Sequence, residues 1–297
     1  MIAGALVRHI KHPQGRDTCA LECAKALNTM FGEPPKADSM QADASDLRRG
    51  GFKVLPAGLT ADEAADVREF LVQRRRPSDE SGRYYHPPSD ISEAPHIMEL
   101  ATSESVLALA ADYLGTWPTL ASLPVWWTDV PERNLDDQVF HRDGPDVRFC
   151  KLFIYLTDVG HDDGPHEFVP ASHRWDVTMG KLKAAGITDK EQLIQAVERL
   201  FTSAKFDLTP LVDAFFKNDV VTFTGPAGTT FIEDTYAIHR ARPPAPGKSR
   251  LVCTALYSIN LDKGMYPTMT GFRDAKPWKQ RVPDTALAQY AIRHWAT

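Results

Sequence analysis

The sequence predicts one mainly β domain with flanking helices, on three observations. Short β-rich runs recur through the second half, among them Lys151–Thr157, Val220–Phe223, Thr229–Ile232 and Arg250–Ile259. An amphipathic helical pattern interrupts them at 188–204 and strand patterns then resume, which fits an insertion in one domain better than a junction between two. With 297 residues, 43% hydrophobic and 25% charged, the chain has enough apolar material for a substantial core.

Taken in order, residues 1–50 are expected to form an N-terminal helical extension and 51–297 the β core, with a helical insertion at about 176–217. Leu21, Ala24, Leu27 and Phe31 recur on one face of a helix over 17–31, which Gly32 ends. A polar connector follows, carrying Pro34-Pro35 and Gly50-Gly51. Phe52–Leu55 reads as a short strand. Thr60 and Glu63 are spaced as a capping box, opening a helix whose buried stripe is Val67, Phe70 and Leu71. Residues 77–98 lack periodicity, and Tyr84, Tyr85, His86, Pro87 and Pro88 are expected to make a stiff aromatic loop. The next helix runs from 102 to Gly115. Trp126 and Trp127 stand side by side on a strand and so point to opposite faces; at most one can line an interior cavity. Gly164-Pro165 marks a turn before the strand Glu167–Val169. Thr188 and Glu191 read as a second capping box, followed by a stripe of Leu193, Ile194, Val197, Leu200 and Phe201. Trp278 and Trp295 are expected to pack the tail onto the body.

Composition excludes several functions. A net charge of −5 gives no nucleic-acid footprint, and the basic run Arg74–Arg76 suits the dipole at a helix end. The four cysteines are scattered, without zinc-finger spacing. No apolar run is long enough for a membrane span, and Met1–Val7 lacks a basic leader and breaks at Arg8-His9. A cytoplasmic protein is expected, acting on a small molecule, with no nucleic-acid, membrane or obligate protein partner.

The chemistry is concentrated at His141, Asp143, His239 and Arg250. His-x-Asp on a strand puts an imidazole and a carboxylate on one face, where they can share a metal ion. A second such pair, His161 and Asp163, lies in a Gly/Asp-rich loop and reads as a solvated turn. His239 supplies a third ligand. If the turn-forming segment Arg242–Gly247 closes a hairpin, Arg250 falls opposite His239 and faces the same cavity, where a guanidinium suits a carboxylate. Two histidines and one carboxylate leave three adjacent positions open on a metal, the arrangement of non-haem Fe(II) oxygenases. Zinc also accepts these ligands.

Residues 138–260 resemble the phytanoyl-CoA dioxygenase family of Fe(II)/2-oxoglutarate-dependent oxygenases. The matching parts are His141-Arg142-Asp143, Leu156–Val159 with Gly164-Pro165, Phe168–Arg174, His239, and Arg250 eleven residues later; Gly51–Leu55 and the helix after Thr60 are similar to that family's opening. The resemblance implies a double-stranded β-helix, or jelly-roll barrel of cupin type. It also implies Fe(II), 2-oxoglutarate and O2, with His141, Asp143 and His239 on the metal and the far carboxylate of 2-oxoglutarate on Arg250. The products are succinate, CO2 and an oxidised substrate. Asp143 stands where related halogenases have a small residue, so hydroxylation or desaturation is implied. Lys151 is a further candidate for co-substrate binding; Tyr84, Tyr85, His86, Trp127 and Arg142 are candidates for the substrate pocket. Ala171 departs from the Gly-Ser-His usual in the family, and His173 reads as a structural rim residue. Two other readings stay open: a cupin-like binding module without turnover, and a zinc hydrolase using a metal-bound water.

Overall fold

Nine consecutive buried residues, Arg250–Ser258, form the longest strand, and the β structure is arranged around it. The computed structural model describes residues 13–36, 43–56, 58–130, 138–187, 189–201, 207–259 and 276–295. Its strands are β1 (Phe52–Leu55), β2 (Arg83–Tyr85), β3 (Thr119–Ser122), β4 (Val125–Thr128), β5 (Phe149–Tyr155), β6 (His166–Phe168), β7 (Val221–Phe223), β8 (Thr230–Glu233), β9 (His239–Ala241) and β10 (Arg250–Ser258). A seven-stranded antiparallel sheet runs β1-β8-β5-β10-β4-β2, with β3 on the same edge of β10 as β4. A three-stranded sheet, β7-β6-β9, faces it and is extended by a bridge between His141 and His239. The two-sheet jelly roll expected from the sequence is the observed architecture, with helices outside it.

Alternation along β10 decides which residues can reach the site. Leu251, Cys253, Ala255 and Tyr257 enter the outer core with the helix Glu104–Leu114, while Val252 joins the core between the sheets. Arg250 and Thr254 share the inner face with Val252. The inter-sheet core holds Phe153, Tyr155, Phe231 and Val252 from the large sheet and Phe168 and Phe223 from the small one. The same rule assigns Lys151, Glu233, Trp126, Arg83 and Tyr85 to the inner face by register.

The helices follow their sequence signals, with corrections. The Thr60–Glu63 capping box is present, and Ala64, Val67 and Leu71 form the buried stripe of Ala61–Val72; Phe70 is half-buried under Arg74. The first helix runs Pro13–Phe31, but its buried face is Ala20, Ala24 and Leu27. Leu21 and Phe31 are 52% and 49% exposed, because the small side chains, not the large ones, allow close approach to the body. Residues 77–98 are not an aromatic loop. Tyr84 and Tyr85 lie on β2, paired with Trp127 and Trp126, and Pro88–Glu93 is a short helix. The helix Lys190–Phe201 starts from Asp189, whose carboxylate accepts from the Gln192 amide at 2.8 Å. Thr188, Met1–Val7, the middle of the polar connector and the Leu193 side chain lie outside the described residues. Trp278 and Trp295 are fully buried and meet edge to face at 5.9 Å, tying down the tail as expected.

The helices Trp175–Ala184, Lys190–Phe201 and Thr209–Phe215 back the small sheet. Leu182, Leu200, Phe201, Leu208 and Val212 pack on Phe140, Val169 and Ile238, the chain neighbours of His141, Phe168 and His239. This layer is a buttress behind the ligand-bearing strands.

Ala171 has φ of 59°, in the left-handed region. That accounts for its position being one where glycine is favoured. Relief of roughly 1–2 kcal/mol of Cβ strain, less roughly 0.4–1 kcal/mol of unfolded-state entropy, predicts that Ala171→Gly stabilises the protein by up to about 1.6 kcal/mol. A urea titration checks this, and a lower midpoint at unchanged slope would contradict it.

Candidate metal centre

His141 and His239 are joined by their backbones before their side chains meet. The amide of each donates to the carbonyl of the other, at 2.9 and 3.0 Å, which places the residues directly opposite. The Asp143 amide donates to the Thr235 carbonyl at 2.9 Å and holds the carboxylate on the same side. The imidazole centroids are 4.3 Å apart. His141 Nε2 lies 3.9 Å from Asp143 Oδ1, and His239 Nε2 lies 3.6 Å from Oδ2. Among the described residues, this is the set of His, Cys, Asp or Glu side chains close enough to share one metal ion. His161 and Asp162 are exposed, and Asp163 is spent on the Gly160 amide and Lys248.

The donor chemistry fits a metal. Each ring has Nδ1 at 2.9 Å from the carbonyl two residues earlier, Val139 for His141 and Ala237 for His239. Only the Nδ1–H tautomer can donate there, and in a neutral ring that leaves Nε2 with a free lone pair. Burial, then the neighbouring His141, holds His239 well below the usual imidazole range, so it stays neutral and able to ligate. Burial pushes the Asp143 carboxyl up, but Lys151, His239 and His141 together outweigh it and keep it below the usual carboxylate range. His239 and Asp143 are therefore held in their ligating forms.

The cavity around them has a volume of about 130 Å³ and is lined by Trp126, Lys151, Phe153, His166, Arg250 and Thr254 as well as the ligands. Lys151 Nζ donates to Asp143 Oδ2 at 2.5 Å. Arg250 is buried on the opposite wall and donates through a terminal nitrogen to the Gly164 carbonyl. The hairpin expected between His239 and Arg250 does not form: β9 belongs to the small sheet and β10 to the large one. The chain changes sheets between them, so the two residues face each other across the cavity.

Four candidate pocket residues fall elsewhere. Trp127 is on the outer face under Arg75, whose guanidinium carbon is 4.1 Å from the ring centroid; Trp126 lines the cavity in its place. Tyr84 also points outward, its hydroxyl donating to the Arg74 carbonyl at 3.1 Å. His86 is buried against Tyr84 with Nδ1 at 3.2 Å from Asp90. Arg142 lies between two inward residues and so points away, donating to the Tyr236 and Ser172 carbonyls and covering Phe201 at 4.5 Å. Burial pulls its guanidinium down to about 10, which leaves it charged at neutral pH. It binds the ligand segment to the helical buttress. Tyr85 does reach the mouth, stacked on Trp126 at 5.5 Å and 50% exposed.

Sequence reasoning missed His166 and Glu233. His166 stacks on His239 at 5.4 Å and lines the cavity, with Nε2 2.6 Å from Oε1 of the wholly buried Glu233. Burial, then Arg250, holds His166 well below the usual imidazole range, and burial raises Glu233 well above the carboxylate range. Both are neutral. Nothing in the local sequence signals this contact, because it joins strands of different sheets.

Comparison with known proteins agrees with this geometry. Residues 134–252 match the family model described as phytanoyl-CoA dioxygenase (PhyH). No curated protein matches the chain. Among solved structures, the epimerase SnoN in complex with Fe3+, alpha ketoglutarate and nogalamycin RO is 21% identical, with 72% of this chain and 81% of that one covered, at a TM-score of 0.49. EctD from S. alaskensis with 2-oxoglutarate and 5-hydroxyectoine is 16% identical over 76% and 79%, at 0.48. HygX from Streptomyces hygroscopicus with nickel, 2-oxoglutarate and hygromycin B is 17% identical over 71% and 84%, at 0.47. These likenesses are distant; the family match covers residues 134–252, the stretch that carries His141, Asp143, His239 and Arg250.

Proposed function

We propose that the protein hydroxylates or desaturates a small organic substrate, with His141, Asp143 and His239 holding Fe(II) and Arg250 holding the distal carboxylate of 2-oxoglutarate. The observation that carries this reading is one cavity with two lone-pair-bearing imidazoles and a carboxylate on one wall and a buried guanidinium on the other. When bound, iron and 2-oxoglutarate supply the oxidising chemistry, in which O2 is consumed, 2-oxoglutarate yields succinate and CO2, and a substrate C–H bond is oxidised.

The protein's own part is position and charge. The backbone-anchored Nδ1 atoms fix the ring planes of both histidines. Lys151 stands against Asp143 and, with Arg250, makes the cavity cationic enough for a dicarboxylate. At about 130 Å³ the cavity falls below the ~300–1,000 Å³ of sites for drug-sized ligands, so it suits the metal and a compact co-substrate. The substrate then meets the site from the mouth, beside Tyr85 and Trp126. The cysteines are free thiols, which suits a reducing cytoplasm.

The test is succinate release that requires iron, 2-oxoglutarate and oxygen and rises when the correct substrate is added. Titration calorimetry without oxygen supplies a substrate-free check, because 2-oxoglutarate should bind the metal-loaded protein. Absence of metal-dependent binding would favour the cupin-like binding module. Turnover with Zn(II) under anaerobic conditions would favour the hydrolase.

A further inference from the structure

The strand pairing that holds the two histidines lapses just beyond them, and Asp143 stands in irregular chain. Residues 142–148 lead from the bridge to β5, and 234–238 lead from β8 to β9; neither stretch belongs to a sheet. Among the described residues, one backbone hydrogen bond joins 143–148 to 234–237, from the Asp143 amide to the Thr235 carbonyl. A carboxylate on such a segment can drift while both imidazoles stay in register. A metal site must hold its ligands to within about 0.5 Å.

What crosses the gap is a side chain from outside the barrel. Arg16 lies in the first turn of the helix Pro13–Phe31 and is 7% exposed. Its Nη2 donates to the carbonyl of Asp146, three residues beyond Asp143. Its guanidinium carbon is 4.0 Å from the ring centroid of Tyr236, three residues before His239. Tyr236 is itself held: its carbonyl accepts from Arg142, and its amide donates to Asp234 Oδ1 at 2.9 Å. The other Asp234 oxygen accepts from the Tyr113 hydroxyl. Arg16 therefore clamps the chain after Asp143 against a fixed point on the chain before His239. Asp17 adds a longer contact, 3.5 Å to Arg148.

Docking the helix does not call for an arginine here. Ala20, Ala24 and Leu27 continue the same stripe and are buried against the body. A buried guanidinium loses hydration and rotamer freedom, so an apolar side chain would hold the helix at lower cost. An apolar side chain cannot, however, donate to a carbonyl and cover an aromatic ring as a cation at once.

We propose that Arg16 is a positioning residue for the metal centre: by tying Asp146 to Tyr236 it keeps the Asp143 carboxylate close enough to His141 and His239 to share an ion. The inference rests on reading those three residues as the ligands, and it gives the N-terminal helix a part in assembling the site.

The test is Mn(II) titration of the full chain below its melting temperature, read by the EPR signal of the free ion. Arg16→Leu is expected to weaken Mn(II) by about tenfold, the lower end of what loss of an outer partner costs. Arg16→Lys, which keeps a donor and a cation, should recover part of the loss. Leu27→Ala opens a cavity under the same helix and is the control: it should lower the melting temperature at least as much, with Mn(II) affinity within about threefold of wild type. Tyr236→Leu should also weaken Mn(II), and combining it with Arg16→Leu should cost less than the two effects together, because both break one clamp. Wild-type Mn(II) affinity in Arg16→Leu overturns the proposal. An equal loss in Leu27→Ala overturns it too, since helix docking in general would then be the cause. If Arg16→Leu does not fold, Tyr236→Leu reads the clamp from its other side, and wild-type affinity there is equally decisive. These outcomes leave the ligand assignment standing, whereas Mn(II) affinity that survives Asp143→Ala removes the assignment and the proposal with it.

Discussion

Replacing Asp143 with alanine is expected to lower metal affinity by about three orders of magnitude while leaving the fold in place. The carboxylate is the one anionic donor beside His141 and His239, and it also faces Lys151 at 2.5 Å. At about 4 Å and an effective dielectric near 20, a pair of unit charges is worth ~4 kcal/mol. A dication doubles the attraction, and desolvation takes a comparable amount back. Its loss also leaves the Lys151 ammonium beside the metal with nothing to offset it. The backbone is untouched, because the Asp143 amide still donates to Thr235 and the His141–His239 bridge does not involve the side chain. Asp143→Asn keeps an oxygen donor without the charge and should fall between. Competition against a metallochromic chelator reads the affinity and a melting curve reads the fold. Metal binding within tenfold of wild type in the alanine variant would remove Asp143 from the centre.

How far the sequence leads is best judged at the residues it placed and those it misplaced. Alternation puts His141 and Asp143 on one side, and the structure brings them to the same wall as His239. Alternation also requires Arg142 to point away from that wall, and it does. For Trp126 and Trp127, periodicity shows only that one of them faces in. Which one depends on the register with β10, where Trp126 opposes the inward Val252. That register is set by a strand more than a hundred residues later, and no local pattern carries it. The turn at Arg242–Gly247 was legible as a turn, but not that it crosses from one sheet to the other; a hairpin and a sheet change need the same proline- and glycine-rich chain. Tyr84 and Tyr85 sit on an edge strand of three residues, too short for alternation to stand out from a loop. His166 is the furthest out of reach, since its meaning lies in Glu233 on another sheet.

Replacing Arg250 with alanine is expected to weaken 2-oxoglutarate binding by on the order of 3–5 kcal/mol, since it leaves a carboxylate unpaired in a buried place. Arg250 is 2% exposed at the start of β10 and points across the cavity from the metal ligands. It also donates to the Gly164 carbonyl, so the variant loses an anchor for the loop before β6 and some stability with it. Affinity for 2-oxoglutarate alone therefore cannot separate a lost contact from a loosened wall. Comparing 2-oxoglutarate with 2-oxobutyrate can, because the second has the same chelating end and lacks the distal carboxylate. Wild-type protein should prefer 2-oxoglutarate strongly; Arg250→Ala should bind both with similar, weak affinity. Arg250→Lys should restore part of the preference, because a point charge attracts the carboxylate but cannot hold it through two parallel N–H donors. If the alanine variant binds both ligands more weakly and keeps the wild-type preference, the guanidinium supports the wall and some other cation, with Lys151 the first to test, holds the distal carboxylate.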